Sequence, residues 1–170
     1  MSGKTLAELA SGIKLLICDV DGVLTDGRIY LMPDPNNPEE AVEIKVFHAR
    51  DGHGLKLLQQ AGIDVAIISG RKAPMVNARM RALGVKHIVQ GCPDKLAALQ
   101  ELLPPMGIKP EQVAYIGDDT IDVEIMQAVG FAVAVKDAHP AVIRSAQWTT
   151  HNNGGQGAVR ELCDLLIKHN

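Results

Sequence analysis

ICDVDGVLTDG, Ile17 to Gly27, is the stretch that decides how this chain is read. Four apolar residues, Leu15, Leu16, Ile17 and Cys18, run straight into Asp19, Asp21 and Gly22. That is the pattern of a buried strand ending abruptly in a loop that carries two carboxylates. Two ionised carboxylates this close repel each other, and the cost becomes tolerable when a cation lies between them or one keeps its proton. The stretch therefore reads as a site, against the plainer alternative of an acidic surface turn, where Asp and Gly are common.

Outward from this loop the periodicity alternates. Thr5 to Ser11 has helical spacing, with Thr5 and Glu8 set for a capping box. Arg28 to Met32 and Ala41 to Phe47 form an expected β-hairpin with a proline-broken tip at 33–40, well placed to cover the acidic loop. A helix is expected from Asp51 to Gly62, a buried strand over Ile63 to Ser69, a helix over Pro74 to Leu83 and a short strand over Val85 to Val89. Asp94 to Leu103 reads as a helix closed by Pro104 and Pro105. It is followed by a strand at Val113 to Ile116, an apolar run at Phe131 to Val135, a short edge strand at Gln147 to Thr150 and a closing helix at Ala158 to Lys168. Strands alternating with helices at this spacing indicate one doubly wound α/β domain over residues 1–170, with a mainly parallel sheet and a hairpin flap at about 28–47. In such sheets ligands bind beyond the carboxyl ends of the strands, where strand order reverses.

The residues stopping each strand are then the ones to inspect. They are Asp19 and Asp21 after the first, Ser69 after the second, and Gly117, Asp118, Asp119 and Asp122 after the fourth; Lys95 lies early in the helix after the third. Taken singly, each has a plain reading as a cap or a solvated charge. Jointly they make one site, because these loops open on the same edge of a parallel sheet. Several carboxylates without clustered His or Cys favour a hard, oxygen-seeking ion such as magnesium. A Ser hydroxyl and a Lys ammonium are natural partners of phosphate oxygens, so phosphoryl transfer is the leading chemistry. No G-x-x-x-x-G-K-[ST] loop is present.

Composition excludes other classes. The 170 residues are 46% hydrophobic and 22% charged, a globular balance, with a formal net charge of −3. Aromatics make up only 3%, which argues against a nucleic-acid surface of basic patches and stacking rings. Three widely spaced cysteines, Cys18, Cys92 and Cys163, suit a reducing cytoplasm. Neither a signal-peptide core nor a run long enough to span a membrane is apparent, so a cytoplasmic protein is expected.

DVDGV at 19–23, ISG at 68–70, Lys95 and GDDTID at 117–122 resemble, in order and spacing, the haloacid dehalogenase superfamily of phosphatases. The resemblance implies that Asp19 is the nucleophile, Asp21 the general acid/base, and Ser69 and Lys95 the phosphate-holding pair. It also implies magnesium held by the Asp19 carboxylate, the Asp21 backbone carbonyl and Asp118, with Asp119 and Asp122 in support. DVDGVLTDGRIY, FHARDGHGLKLL, ISGRKAP, YIGDDTIDVEIM, AVAVKDAHP and GGQGAVRE are similar to the 3-deoxy-D-manno-octulosonate 8-phosphate (KDO 8-phosphate) phosphatases of lipopolysaccharide precursor synthesis. Members of that group lack an inserted cap domain, and the resemblance implies homotetramers in which neighbouring subunits help close each site. Arg50, Arg71 and Lys72 are the cations nearest the site in sequence, and a sugar acid needs one for its carboxylate; the resemblance selects Arg71, with Arg50 as a second contact. Gln156 stands where similar sequences carry a basic residue. Phosphatases of 2-keto-3-deoxynononate 9-phosphate and N-acylneuraminate 9-phosphate share the catalytic motifs and form the alternative. A non-catalytic regulatory binding protein is the remote one, and the full set Asp19, Asp21, Ser69, Lys95 and Asp118 speaks against it.

Overall fold

The computed structural model describes residues 3–170; Met1 and Ser2, the first two of the expected 1–170 unit, lie outside the described residues. The elements follow in chain order: α1 (Leu6–Ala10), β1 (Leu15–Cys18), β2 (Tyr30–Pro33), β3 (Ala41–Ile44), α2 (Ala49–Gln60), β4 (Asp64–Ser69), α3 (Pro74–Ala82), β5 (His87–Gln90), α4 (Lys95–Met106), β6 (Val113–Gly117), α5 (Val123–Gln127), β7 (Phe131–Ala134), α6 (Pro140–Ser145), β8 (Trp148–Thr149) and α7 (Ala158–His169). Six strands make one sheet in the order β5-β4-β1-β6-β7-β8, every pair parallel. This is the doubly wound α/β architecture that the sequence pattern indicates.

β1, β6 and β7 are buried along their whole length because helices cover both faces of the sheet. α2 packs on α7, which also meets α1, while α4, α5 and α6 pack in sequence on the opposite face. Right-handed crossovers impose that split: connections running from β1 toward β5 lay their helices on one face, and those running from β6 toward β8 on the other. Strand order reverses at the β1/β6 boundary, and the site is expected at the carboxyl ends of those two strands. Between β1 and α2 the chain forms the two-stranded antiparallel hairpin β2–β3, which pairs with no strand of the main sheet.

Strand bounds shift by a few residues, β3 ending at Ile44 and β5 spanning His87–Gln90, and two helices differ from the sequence reading. α4 does not stop at Pro104 but runs to Met106 and ends at Gly107, which takes the left-handed conformation with φ 64°. The prolines sit in the last turn, and the carbonyls their missing N–H groups leave open belong to Gln100 and Glu101, both exposed and able to bond water. α6 was not anticipated. It is one and a half turns long and buries only Val142, so it leaves no apolar periodicity to read.

Candidate active site

Asp19 follows directly on β1, its amide donating to the Ile116 carbonyl of β6 at 3.1 Å, and its side chain is all but buried. Lys95, at the first turn of α4, reaches across beneath it. Its Nζ lies 2.8 Å from Asp19 Oδ1 and 2.6 Å from Asp122 Oδ1, and donates to the Tyr115 hydroxyl at 3.3 Å. Tyr115 in turn donates to Asp122 Oδ1 at 2.5 Å. The other Asp122 oxygen accepts from the amides of Asp118 at 3.0 Å and Asp119 at 3.2 Å. Asp122 is fully buried with both oxygens engaged, so it organises the loop after β6 and the Lys95 ammonium.

The loop after β1 is braced in two ways. Internally, Thr25 Oγ1 donates to the Val20 carbonyl and accepts from the amides of Gly22 and Gly27, all at 3.3 Å. Externally, the segment before α7 lies against it: Gly155 N donates to the Val23 carbonyl at 2.8 Å, while Gly154 N is anchored away from the loop on Asp137 Oδ1 at 2.9 Å. Two glycines make these approaches possible. A Cβ on Gly154 would collide with the Gly22 carbonyl, and one on Gly22, itself at φ 91°, would collide with the Asp118 carboxylate. The Gly154–Gly157 run is thus a brace for the Asp19–Gly27 loop, a role with no local signature in sequence.

A cleft of about 270 Å³ opens at this edge, lined by Asp19, Asp21, Ser69, Arg71, Asp118 and Asp119 among others. A larger hollow, about 390 Å³, runs along α4 past Val89, Cys92 and Leu102. No cation lines that hollow, and its Asp94 already caps α4 by accepting from the Ala97 amide at 2.9 Å. The smaller cleft is the one where polar groups converge.

Electrostatics single out two of its acids. Burial raises Asp19 to about 6, with Lys95 opposing that rise and Asp122 adding to it. Asp118 is pushed up to about 8, first by burial and then by the Asp19 and Asp122 carboxylates. Burial alone pulls Lys95 down, but its contacts with Asp19 and Asp122 outweigh that and hold it above the usual lysine value. Carboxylate oxygens of Asp19, Asp118 and Asp122 lie within 4.8 Å of one another. Since Asp122 is spent on Lys95, Tyr115 and two amides, Asp19 and Asp118 are the pair left facing the cleft. Two crowded carboxylates that resist joint ionisation are a donor set suited to a hard divalent cation, so the residues fit magnesium.

The remaining candidates fall into place unevenly. Ser69 ends β4 on the cleft, its Oγ accepting from the Arg71 amide at 3.3 Å. Arg71 lines the cleft and its guanidinium pairs with Glu43 of β3. Asp119 is exposed and uses Oδ1 to cap Thr120 N at 2.7 Å. Arg50 is not brought to this cleft, contrary to expectation; it lines a separate one with Asn152, Arg160 and Asp164. The neighbouring Asp51 carboxylate caps α7 by accepting from Gly157 N at 3.2 Å and Arg160 N at 2.8 Å, which turns this end of α2 toward α7. Two residues were missed in sequence. Lys45, just past β3, forms an ion pair with Asp21, and its Nζ lies 2.9 Å from Glu43 Oε1. Their signal was the alternation of Glu43, Lys45 and Phe47 along one face of the hairpin strand.

A model of the haloacid dehalogenase-like hydrolases matches residues 87–162. The 3-deoxy-D-manno-octulosonate 8-phosphate phosphatase KdsC of Yersinia pestis is 50% identical over 158 residues, spanning 93% of this chain and 81% of the relative. That of Escherichia coli K12 is 51% identical over the same length and shares. The crystal structure of the Moraxella catarrhalis phosphatase of that name, in complex with a magnesium ion, a phosphate ion and KDO, superposes with a TM-score of 0.90 at 40% identity, covering 97% of this chain and 91% of the other. With such identity along most of both sequences and the fold in common, the chain belongs to the haloacid dehalogenase-like hydrolases and is a phosphoric monoester hydrolase of the KdsC branch.

Proposed function

We propose that this phosphatase hydrolyses KDO 8-phosphate to KDO and phosphate, in lipopolysaccharide precursor synthesis, through an aspartyl-phosphate on Asp19. The observation that carries the reading is the Asp19 carboxylate on the cleft floor, held by Lys95 and facing Asp118. An Asp19 oxygen attacks phosphorus as the bond to the sugar oxygen breaks, and Asp21 gives that oxygen a proton. Water then attacks phosphorus, Asp21 takes its proton, and Asp19 is released. Ser69 and Lys95 hold the phosphoryl oxygens. Monoester hydrolysis is slow enough that roughly 20 kcal/mol of barrier lowering is required, and splitting the reaction in two lightens each step. Asp19, Asp118 and the Asp21 carbonyl would hold magnesium, which when bound supplies positive charge against the phosphate dianion. Arg71 is the contact we assign to the substrate carboxylate.

Two further readings accompany this one. Ile29, Leu31, Met32, Ile44 and Val46 are exposed on or beside the hairpin, which supports a homotetramer in which these apolar side chains are covered by neighbouring subunits. Three free cysteines, two of them buried, support a reducing cytoplasm as the compartment. Among the described residues no helix is long and apolar enough to cross a membrane.

The deciding experiment compares kcat/KM for KDO 8-phosphate, 2-keto-3-deoxynononate 9-phosphate, N-acylneuraminate 9-phosphate and simple sugar phosphates. KDO 8-phosphate is expected to rank first, and a higher value for any other ester overturns the substrate assignment. Light scattering tests the tetramer, and a fully active monomer refutes it.

A further inference from the structure

The hairpin strand is inverted relative to an ordinary surface strand. Glu43 and Lys45 point inward, with side chains only 22% and 3% exposed, while Ile44 and Val46, which alternate with them, point out and are 41% and 53% exposed. A lysine so thoroughly covered loses hydration and is tolerated only where anions meet it. The anions here are Asp21 and Glu43, and the second is shared with Arg71. Among the described residues, Lys45 is the one side chain hydrogen-bonded to the Asp21 carboxylate. Asp19 is fixed by the sheet and by Lys95; Asp21, two residues on, is reached by a group from the flap. Securing the hairpin alone needs no buried cation, since exposed ion pairs or apolar contacts hold such elements at less cost.

We propose that Lys45 is a positioning residue for Asp21: carried in on the flap and steadied by Glu43, it holds the Asp21 carboxylate over the cleft in the orientation that serves proton transfer to the leaving oxygen. Lys45 transfers no proton itself. The inference rests on the acid/base role assigned above to Asp21, and it makes flap seating and proton transfer one event.

The test uses the full-length, magnesium-supplied enzyme and two esters. KDO 8-phosphate leaves as an alkoxide and needs the proton; p-nitrophenyl phosphate leaves as a stable phenolate and does not. Because general acid catalysis is worth about 10²–10⁴-fold, Lys45→Met is expected to lower kcat/KM for KDO 8-phosphate by about 30-fold or more and for the aryl ester by less than about 5-fold. Lys45→Arg recovers a large part of the loss, since it returns a cation to the same place. Combined with Asp21→Asn, the Lys45→Met change costs less than about 3-fold further, because residues acting as a unit are not additive. Equal losses on both esters, a full additional loss in the double variant, or no loss at all overturns the proposal. Should Lys45→Met fail to fold by circular dichroism, Lys45→Gln is read against the same outcomes. An Asp21→Asn enzyme with wild-type turnover refutes the acid/base reading itself, whereas an inactive Asp21→Asn beside an unaffected Lys45→Met refutes only the role of Lys45.

Discussion

On the sheet side of the cleft, Asp19 is fixed by a backbone bond to β6, by Lys95 beneath it, and by a loop whose own amides close on Thr25. On the flap side, Asp21 from the loop after β1 and Arg71 from the loop after β4 are joined side chain to side chain through Lys45 and Glu43, which belong to a hairpin that pairs with no strand of the main sheet. An isolated two-stranded hairpin has little stability of its own. The contrast separates two requirements of the proposed reaction: the carboxylate proposed to attack is preorganised, while Asp21 and Arg71, proposed to meet the leaving sugar, are held by side chains from an element able to part from the cleft and admit it.

Breaking the rigid side carries the largest expected effects. Asp19→Asn removes the proposed nucleophile and is expected to lower kcat by about 10⁴-fold or more with an unchanged circular dichroism spectrum. Turnover near wild type from that variant removes the basis for the sheet side as the chemical half. Gly154→Val drives a side chain into the Gly22 carbonyl, and the loop must shift to admit it. A loss of about 2–3 kcal/mol in urea midpoint stability and of about 100-fold in kcat/KM is expected, since small misplacements of reacting groups are costly. An unaltered variant means that the brace is dispensable.

A milder test leaves the sequence intact. The folded values of Asp19, about 6, and Asp118, about 8, lie above the 3.8 of a free aspartate. The metal-free native protein therefore keeps protons that the unfolded chain releases, and the stability these groups contribute is full below 3.8 and lost as pH rises through 6 and 8. In excess chelator the melting temperature is expected to fall by about 5 °C between pH 5 and pH 8.5, a shift of the size that one or two kcal/mol produces in a chain of this length. Magnesium is expected to raise it more at pH 8 than at pH 6. A chelated protein whose melting temperature climbs over that range contradicts the reading of the two acids. The smallest effect belongs to the flap: Glu43→Gln keeps a hydrogen-bonding side chain between Lys45 and Arg71, and a loss of no more than about tenfold in kcat/KM is expected. A loss matching that of Asp19→Asn erases the distinction between the two sides.

The rigid side is also the side that could be read in the sequence. LLIC followed by two acids, IIS followed by Gly70, and AYIG followed by Asp118 are strand ends, and a parallel sheet brings strand ends to one edge whatever the details of packing. The use made of Asp122 was not legible. Its spacing from Asp118 shows an acid in a helical turn, whereas its hold on Lys95 and Tyr115 depends on three elements meeting. Glu43 and Lys45 escaped for another reason: period-2 alternation shows that a strand has two faces, but not which one looks inward when the outer face is the apolar one. Arg50 illustrates the same limit from the other direction, since closeness in sequence to the site says nothing of the turn that Asp51 imposes by capping α7.

The glycine brace also bears on how the chain reaches its native state. The Asp19–Gly27 loop follows the first strand, yet the residues that close over it, Gly154 and Gly155, lie far along the sequence, with Asp137 holding Gly154 from behind. Contacts of such long sequence separation form late, because the intervening loop must close before they repay its entropy. During synthesis the central strands can assemble and collapse while the Asp19–Gly27 loop is still unsupported. A chain interrupted between β7 and α7 can therefore bury much of its core and remain inert, and competence waits for the Gly154–Gly155 segment to dock.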